Sequence, residues 1–92
     1  MIVGSGPEEK NLRAIIENMR LEKKVYLVGP KSQTELADYL AAAEMFILNT
    51  AYEGFSHDIL EAMLAGLPVI TTPVGGNKEI IHQGENGFMV KY

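Results

Sequence analysis

The chain has 92 residues, of which 47% are hydrophobic, so it has enough apolar material for one small domain and not for two. Its net charge of −4 and its pI near 5.0 argue against a surface that binds nucleic acid or anionic membranes. The absence of cysteine excludes disulfides and thiolate chemistry, and no apolar run approaches the length of about 18 residues that a membrane-spanning helix needs.

Short apolar runs and amphipathic segments alternate along the chain. In segment 7–20, apolar residues recur at i, i+3, i+4 and i+7 between charged ones, which predicts a helix. The pattern "SQTE" at 32–35 is typical of a capping box, and Gly66 is typical of a helix C-terminal cap. The pattern predicts strands near 1–3, 25–28, 45–48, 68–71 and 88–90, and helices over 7–20, from 32 to 43, over 57–66 and over 77–82.

The predicted strands are apolar throughout and do not alternate apolar with polar residues, as "VYLV" and "MFIL" illustrate. Continuous apolar runs indicate strands that are buried on both faces, which is typical of parallel sheets covered by helices. The sequence therefore predicts an α/β fold with a Rossmann-like parallel sheet of about five strands and helices on both faces, over a single domain at 1–92.

Ligands of open parallel sheets bind beyond the carboxyl ends of the strands. The loops at that edge are "GSGP" (4–7), "GPKS" (29–32), "NTAYEGFS" (49–56) and "TPVGG" (72–76). Such turns collect glycine in any protein, so the first and last loops are equally well explained as plain turns. "GSGP" fails as a dinucleotide fingerprint, because Glu9 occupies the third glycine position, and the chain has no phosphate-binding G-K-[ST] motif.

The stretch "EGFSHDILEAMLAGLPVI" at 53–70 carries more information. Ser56 precedes a helix whose free N–H groups form an anion site, although a plain serine N-cap is commoner than phosphate binding across all helices. Asp58 and Glu61 are the charged residues between His57 and Asn77, which indicates a helix covered on more than one face. The expected apolar stripe of this helix, with the alanines Ala62 and Ala65 on its other side, is Ile59, Leu60, Met63, Leu64 and Leu67.

Two glutamates flank this anion site. Glu61 lies about 6 Å along the helix axis from His57, and a charge on a covered helix needs a partner. Glu53 precedes the turn and approaches the same ligand from the loop. Two carboxylates around one anion site suit a phosphate that carries polyhydroxyl groups on both sides. The pattern therefore favours a nucleotide sugar, with ribose on one side and a donor sugar on the other.

These residues resemble the E-x7-E motif of the retaining nucleotide-sugar glycosyltransferases of family 4, with Glu53 and Glu61 as its two glutamates. The "GSGP" turn, the "VYLVG" strand, "EAM.AG.PVI", "GGNKEII" and "ENGF" match the carboxyl-terminal domain of that family in the same order. The likeness covers nearly the whole chain. It implies a GT-B enzyme, in which two Rossmann-like domains form a cleft and the carboxyl-terminal domain holds the donor.

The resemblance also implies roles for individual residues. Glu53 would contact hydroxyl groups of the donor sugar and Glu61 those of the ribose, while Gly54, Phe55 and Ser56 would meet the diphosphate through their backbone. The loop Gly29-Pro30-Lys31 would border the base. The resemblance implies no metal and no cofactor, because the substrate is itself a nucleoside-diphosphate sugar and the departing diphosphate is stabilised by the helix start and by basic residues.

The family places those basic residues upstream of the "IVG" strand, and this sequence does not contain them. We therefore expect the chain to be the core of a donor-binding domain, whose partner is an N-terminal acceptor domain outside these 92 residues, and we expect the chain alone to be inactive. We expect exposed apolar surface to cause self-association, and we expect no nucleic-acid partner. The expected location is the cytoplasm, with any attachment to a membrane surface made through the acceptor domain.

The sequence leaves four alternatives to weigh. His57 and Glu61 have the spacing of a metal-ligand pair, but a third ligand is not evident, so we predict no metal site. Tyr52 and Phe55 could stack on a base, although packing in the loop or core explains Phe55 better. The chain could also be a nucleotide-binding or structural α/β module without transfer activity. A receiver-like domain fits worse, because the first and third strands do not end in the acidic cluster that such a domain needs.

Overall fold

Strands and helices alternate along the chain in the order that the sequence predicts. The computed structural model describes residues 1–91. Its elements are β1 (Ile2–Val3), α1 (Glu9–Asn18), β2 (Leu27–Gly29), α2 (Gln33–Ala42), β3 (Phe46–Leu48), α3 (His57–Leu64), β4 (Val69–Thr71), α4 (Asn77–Ile80) and β5 (Gly87–Met89). Most elements are shorter than predicted by one or two residues at an end, and α1 begins two residues after Pro7.

Every strand pairing is parallel, as the sequence predicts. β1 pairs with β2 in one sheet, and β3, β4 and β5 form a second sheet in that order. The five strands thus divide between two sheets, where a single sheet was expected. β1 has only two residues, Ile2 and Val3, and its register with β2 shifts between them, so it offers few groups for a continuous ladder. The parallel α/β fold class is confirmed.

The chain divides into two compact units, residues 1–35 and the residues from Leu36 onward. In the first unit, α1 has no fully buried residue: Leu12 and Ile16 are half-buried, and its C-cap residue Met19 is 63% exposed. Arg13 and Glu9 form an exposed ion pair one helical turn apart on α1, with a distance of 2.7 Å between Nη2 and Oε1. The expectation of a single domain stays a prediction.

The second unit contains the core, which consists of Leu40, Ile59, Ala62, Leu67, Val69 and Ile81. Because side chains alternate between the faces of a sheet, the strands of this unit present two different rows. Val69 belongs to the inner row and is fully buried, together with Ile59 and Ala62 of α3. The row on the other face, which we call the outer row, consists of Ile47, Ile70 and Phe88, in register across the three strands.

Two capping motifs fix helices where the sequence predicts them. The backbone N–H of Ser32 donates to the carboxylate of Glu35 at 2.9 Å, and the Glu35 N–H donates back to the Ser32 hydroxyl, which is a complete capping box. At the end of α3, Gly66 adopts φ +79° and its N–H donates to the carbonyl of Met63. The N–H of Leu67 then donates to the carbonyl of Ala62, which completes a Schellman motif.

The buried face of α3 differs from the predicted stripe. Ile59 and Ala62 are fully buried, whereas Leu64 is 88% exposed. At 3.6 residues per turn, Leu64 lies roughly 170° around the helix from the midpoint between Ile59 and Ala62. The prediction was wrong for Leu64, because it put the larger side chain inside, whereas the small Ala62 packs toward the sheet. Ile59 and Leu67 are buried as predicted. None of the helices within residues 1–91 is long and apolar enough to cross a membrane.

Candidate functional site

The loops that follow β3 and β4 lie at one edge of the second unit. These strands are parallel neighbours, with Leu48 opposite Thr71, so their carboxyl ends meet at the same side of the sheet. The loop 49–56 carries the predicted Glu53 and leads into α3, and the loop 72–76 leads into α4. The structure therefore brings together two of the four loops that the sequence predicts at the ligand edge.

Buried threonines connect the two strand ends. The Thr72 hydroxyl donates to the carbonyl of Thr50 and accepts from the Thr50 N–H at 3.2 Å. The Thr71 hydroxyl donates to the carbonyl of Leu48 at 2.8 Å. Both Thr71 and Thr72 are only 1% exposed, so these bonds are shielded from water. They fix the start of the loop that carries Glu53.

Asn77 extends this network. The sequence predicts that Asn77 starts α4, and it is indeed the first residue of that helix, but its side chain does not cap it. The residue is fully buried, and its Nδ2 donates to the Thr71 hydroxyl at 3.1 Å and to the Thr72 carbonyl at 3.2 Å. Asn77 thus ties α4 to the end of β4. Its Oδ1 is buried without a hydrogen-bond partner.

Ser56 is the N-cap of α3. It is 2% exposed, has extended backbone angles, and accepts a hydrogen bond from the Ile59 N–H at 3.3 Å through its Oγ. The N–H groups of His57 and Asp58 have no partner within the helix, as in the first turn of any α-helix. Both residues are exposed. The cap is confirmed, whereas the anion site predicted at this helix start stays a prediction.

Glu53 and Glu61 lie on either side of Ser56 along the chain, one in the loop and one in the second turn of α3. Both are half-buried, and Glu61 has an interaction partner within the chain. Phe55 is 54% exposed and contacts the ring of His57 edge-to-face, with 6.2 Å between the ring centroids. This places Phe55 in the loop rather than in the core. The roles predicted for these residues toward a ligand stay predictions.

The predicted loop of Gly29, Pro30 and Lys31 belongs to the first unit, where Gly29 is the last residue of β2 and the other two follow it. Gly29 adopts φ +73°, a conformation that favours glycine, and its carbonyl accepts from the N–H of Gly4 at 2.9 Å. Pro30 is exposed and Lys31 is half-buried. Their predicted place beside a base stays a prediction. Within residues 1–91, no group of three or more His, Asp or Glu side chains could hold a metal ion.

The residues that hold the loops together were not predicted from the sequence. Thr71, Thr72 and Asn77 carry no motif of their own, and "TPVGG" reads as an ordinary turn. The sequence did contain one signal: two threonines at the end of an apolar strand, followed at Asn77 by another small polar residue. Polar side chains that are buried at the end of a strand need hydrogen-bond partners, so such residues are candidates for a buried network. Their hydrogen-bond partners depend on the pairing of β3 with β4, and this pairing is not evident from the sequence.

The parallel sheet with alternating helices is Rossmann-like in class. At the carboxyl ends of its strands, a helix N-terminus lies between two glutamates along the chain. The model of the family described as "Glycosyl transferases group 1" matches residues 1–92. The chain therefore belongs to the family of group 1 glycosyl transferases. This confirms the glycosyltransferase relationship that the motifs at 53–70 predict.

Individual relatives are similar over nearly all of the chain. N-acetyl-alpha-D-glucosaminyl L-malate synthase from Bacillus anthracis is 35% identical over 89 residues, which are 97% of this chain and 23% of the relative. D-inositol 3-phosphate glycosyltransferase from Pseudarthrobacter chlorophenolicus is 34% identical over 86 residues, which are 94% of this chain and 20% of the relative. The chain thus spans about a quarter or less of these relatives.

Solved structures are also similar over nearly the whole chain. The pneumococcal O-GlcNAc transferase GtfA, in complex with UDP and GlcNAc, matches 99% of this chain with a TM-score of 0.87 and 32% identity, over 18% of its own length. Anabaena Alr3699/HepE, in complex with UDP-glucose, matches 97% of this chain with a TM-score of 0.86 and 32% identity, over 26% of its length. These likenesses confirm the expected GT-B relationship.

Proposed function

We propose that this chain is the donor-binding part of a retaining nucleotide-sugar glycosyltransferase of family 4, in which it binds a nucleoside-diphosphate sugar. The observation that carries the proposal is the segment from Glu53 to Glu61, where an N-capped helix begins between two half-buried carboxylates. Membership of the group 1 family and the two structures solved with UDP or UDP-glucose support it.

The diphosphate binds at the start of α3. The partial positive charge of a helix N-terminus favours an anion, and the N–H groups of the first turn are directed toward it. Because Ser56 is buried and its Oγ already caps Ile59, contact with the phosphates comes from backbone N–H groups and not from this side chain. The same donors stabilise the charge that develops on the diphosphate as it leaves. This role requires no metal ion.

The two glutamates hold the sugars on either side of the diphosphate. Glu61 accepts hydrogen bonds from the ribose hydroxyls, and Glu53 accepts them from the donor sugar. A carboxylate suits this task because a charged acceptor forms shorter and stronger hydrogen bonds with hydroxyl groups than a neutral one does. Glu53 therefore positions the reacting sugar, and Glu61 fixes the nucleotide.

Transfer requires more protein than these residues. The relatives are several times longer than this chain, and we propose that an acceptor-binding N-terminal domain completes the cleft. The basic residues that grip the diphosphate in family 4 would come from upstream of β1. The cytoplasmic location and the absence of a cofactor stay predictions of the resemblance.

A donor panel tests the proposal. Ligand-observed NMR with UDP-, GDP- and ADP-sugars should show saturation transfer to one nucleotide series when it is mixed with the protein that carries this chain. Competition by the corresponding nucleoside diphosphate should displace the donor, because both share the diphosphate site. If no member of the panel binds, the proposal is wrong.

The runner-up is a non-catalytic nucleotide-binding or structural module. It differs from the proposal in turnover and not in binding. Incubation with the donor that binds and a panel of sugar acceptors, followed by NMR of the anomeric proton, separates the two. A product with the anomeric configuration of the donor supports retaining transfer, an inverted product contradicts assignment to a retaining family, and binding without any product favours the module.

A further inference from the structure

Two adjacent glycines, Gly75 and Gly76, bring the loop after β4 into direct contact with the loop that carries Glu53. The N–H of Gly76 donates to the carbonyl oxygen of Gly54 at 2.8 Å. Neither Gly75 nor Gly76 has room for a side chain, because a Cβ at either position would meet backbone atoms of the Glu53–Phe55 segment. A backbone atom cannot swing aside as the end of a flexible side chain does.

Gly75 makes the closer approach. It adopts φ +48°, which favours glycine, and a Cβ there would overlap the carbonyl oxygen of Glu53 and lie 2.7 Å from its carbon. Since the oxygen is the nearer atom, the Glu53 C=O bond points toward Gly75. Gly76 has ordinary helical angles, φ −68° and ψ −9°, but its Cβ would lie 2.6 Å from the Gly54 oxygen. Position 76 therefore requires glycine only because a larger side chain would collide with the Gly54 oxygen, and not because of its backbone angles.

The direction of these two carbonyls determines the direction of two N–H groups. Within the described residues every peptide bond is trans, and in a trans peptide the C=O and the following N–H point in opposite directions. The carbonyls of Glu53 and Gly54 face the glycine pair, so the N–H groups of Gly54 and Phe55 face away from it. Two successive N–H groups that point the same way form an anion-binding concavity.

We propose that Gly75 and Gly76 are positioning residues for donor binding: by seating the carbonyls of Glu53 and Gly54, they direct the N–H groups of Gly54 and Phe55 at the diphosphate. This inference rests on the proposed function and adds residues from a different loop to the site. The threonine and asparagine network supports it, because the Thr72 hydroxyl anchors one end of the glycine-bearing segment to the carbonyl of Thr50. The side chain of Asn77 anchors the other end to the end of β4.

Other glycines of the chain provide a matched control. Gly84 lies in the turn before β5, adopts φ +79°, and has nothing within 4 Å of the position that a Cβ would take. Gly84→Ala therefore strains the backbone without touching the Glu53 loop. Gly76→Ala has the reverse properties, since its backbone conformation suits alanine and the close contact that it introduces is with the Gly54 oxygen.

The test measures the affinity of the protein that carries this chain for UDP, GDP and ADP by calorimetry, in wild type, Gly76→Ala and Gly84→Ala. Gly76→Ala should bind the preferred diphosphate about tenfold or more weakly, as expected for loss of a hydrogen bond to a charged group. Gly84→Ala should lower the Tm and leave the affinity unchanged. Equal affinity of folded Gly76→Ala and wild type would overturn the positioning role.

A measurement on the wild type covers the case in which Gly76→Ala does not fold. On addition of the diphosphate, the amide protons of Gly54 and Phe55 should shift downfield as they bond to phosphate oxygens, while that of Gly76 stays bonded to Gly54 and moves little. Binding without these shifts overturns the positioning role and leaves the proposed function intact. Failure of all three diphosphates to bind wild-type protein instead removes the proposed function, and the positioning role with it.

Discussion

The side-chain amide of Asn77 donates a 3.1 Å hydrogen bond to the hydroxyl of Thr71, in a place where both residues are shielded from water. That hydroxyl in turn donates to the carbonyl of Leu48, so a series of hydrogen bonds links α4 through β4 to β3. Each group in this series fixes the orientation of the next. The loop 49–56 begins directly after Leu48, and the loop 72–76 lies between Thr71 and Asn77.

Asn77→Ala should destabilise the protein by about 1–3 kcal/mol, because it removes two buried hydrogen bonds, one to the Thr71 hydroxyl and one to the Thr72 carbonyl. The loss should fall toward the lower end of that range, since the unpartnered Oδ1 of Asn77 is removed as well. Urea denaturation of wild type and variant measures it. Asn11→Ala, which removes an exposed amide bonded to Glu8, serves as the control and should change stability little.

The strands and capping motifs could be predicted from the sequence because they are determined by residues close together in the chain. Ser32 and Glu35 satisfy each other three residues apart, and Gly66 is the residue that a left-handed helix end requires. The buried face of α3 was missed for the opposite reason. Whether Ala62 or Leu64 points inward is decided by the sheet against which α3 packs, and hydrophobicity alone favoured the larger side chain.

The site was predicted in part. Ser56 and the two glutamates could be found because a helix start beside paired carboxylates has a chemical meaning within one segment of sequence. Gly75 and Asn77 could not be assigned, since their contacts cross from one strand-end loop to another. A glycine pair in a loop is compatible with any turn until the backbone that passes beside it is known.

Glu35 makes a prediction about pH. The backbone N–H of Ser32, and next its hydroxyl, lower the pKa of the Glu35 carboxyl below its ordinary value. A depressed folded-state pKa contributes stability above the unfolded-state pKa, and this contribution is lost as the pH falls through the folded-state value. An NMR titration of the side-chain carboxyl should show Glu35 titrating low. In Ser32→Ala its pKa should rise, and an ordinary pKa in wild type would contradict the capping-box account.

The outer row predicts the association behaviour of the 92-residue chain. Ile47 is 62% exposed and Phe88 is 52% exposed on either side of Ile70, which makes an apolar strip across three strands. We expect the chain by itself to self-associate in sedimentation velocity as its concentration rises. Ile47→Thr combined with Phe88→Thr should reduce this association, while Met19→Thr, at the exposed C-cap of α1, should not. A wild-type chain that stays monomeric at high concentration would show that the outer row is not an association surface.

Glu53→Ala should lower kcat strongly in the protein that carries this chain. A donor-sugar contact holds the reacting centre in place, and a misplacement of 1 Å costs on the order of 10²-fold in rate. Steady-state kinetics with the donor that binds best measures the effect. Glu85→Ala removes an exposed glutamate at the turn before β5 and should leave the kinetics unchanged. Wild-type rates in Glu53→Ala would remove Glu53 from the site.

Glu61 provides the most direct test of the central claim, that this chain binds the nucleotide of a sugar donor along α3. Glu61→Gln keeps the shape of the side chain and removes its charge, so donor affinity should fall by about 1–3 kcal/mol. The loss should be nearly equal for the nucleotide sugar and for the bare nucleoside diphosphate, because both contain the ribose. Glu85→Gln is the charge-matched control and should bind both like wild type.

The deciding measurement is a calorimetric cycle of wild type and Glu61→Gln against the nucleoside diphosphate and its 2′,3′-dideoxy analogue. If Glu61 holds the ribose hydroxyls, the penalty of the substitution should shrink for the dideoxy ligand, which has no hydroxyl to donate. If Glu61 serves only its partner within the chain, the substitution lowers the Tm and treats both ligands alike. A large positive coupling energy between Glu61 and the ribose hydroxyls is the predicted result, and a coupling energy near zero would contradict the account.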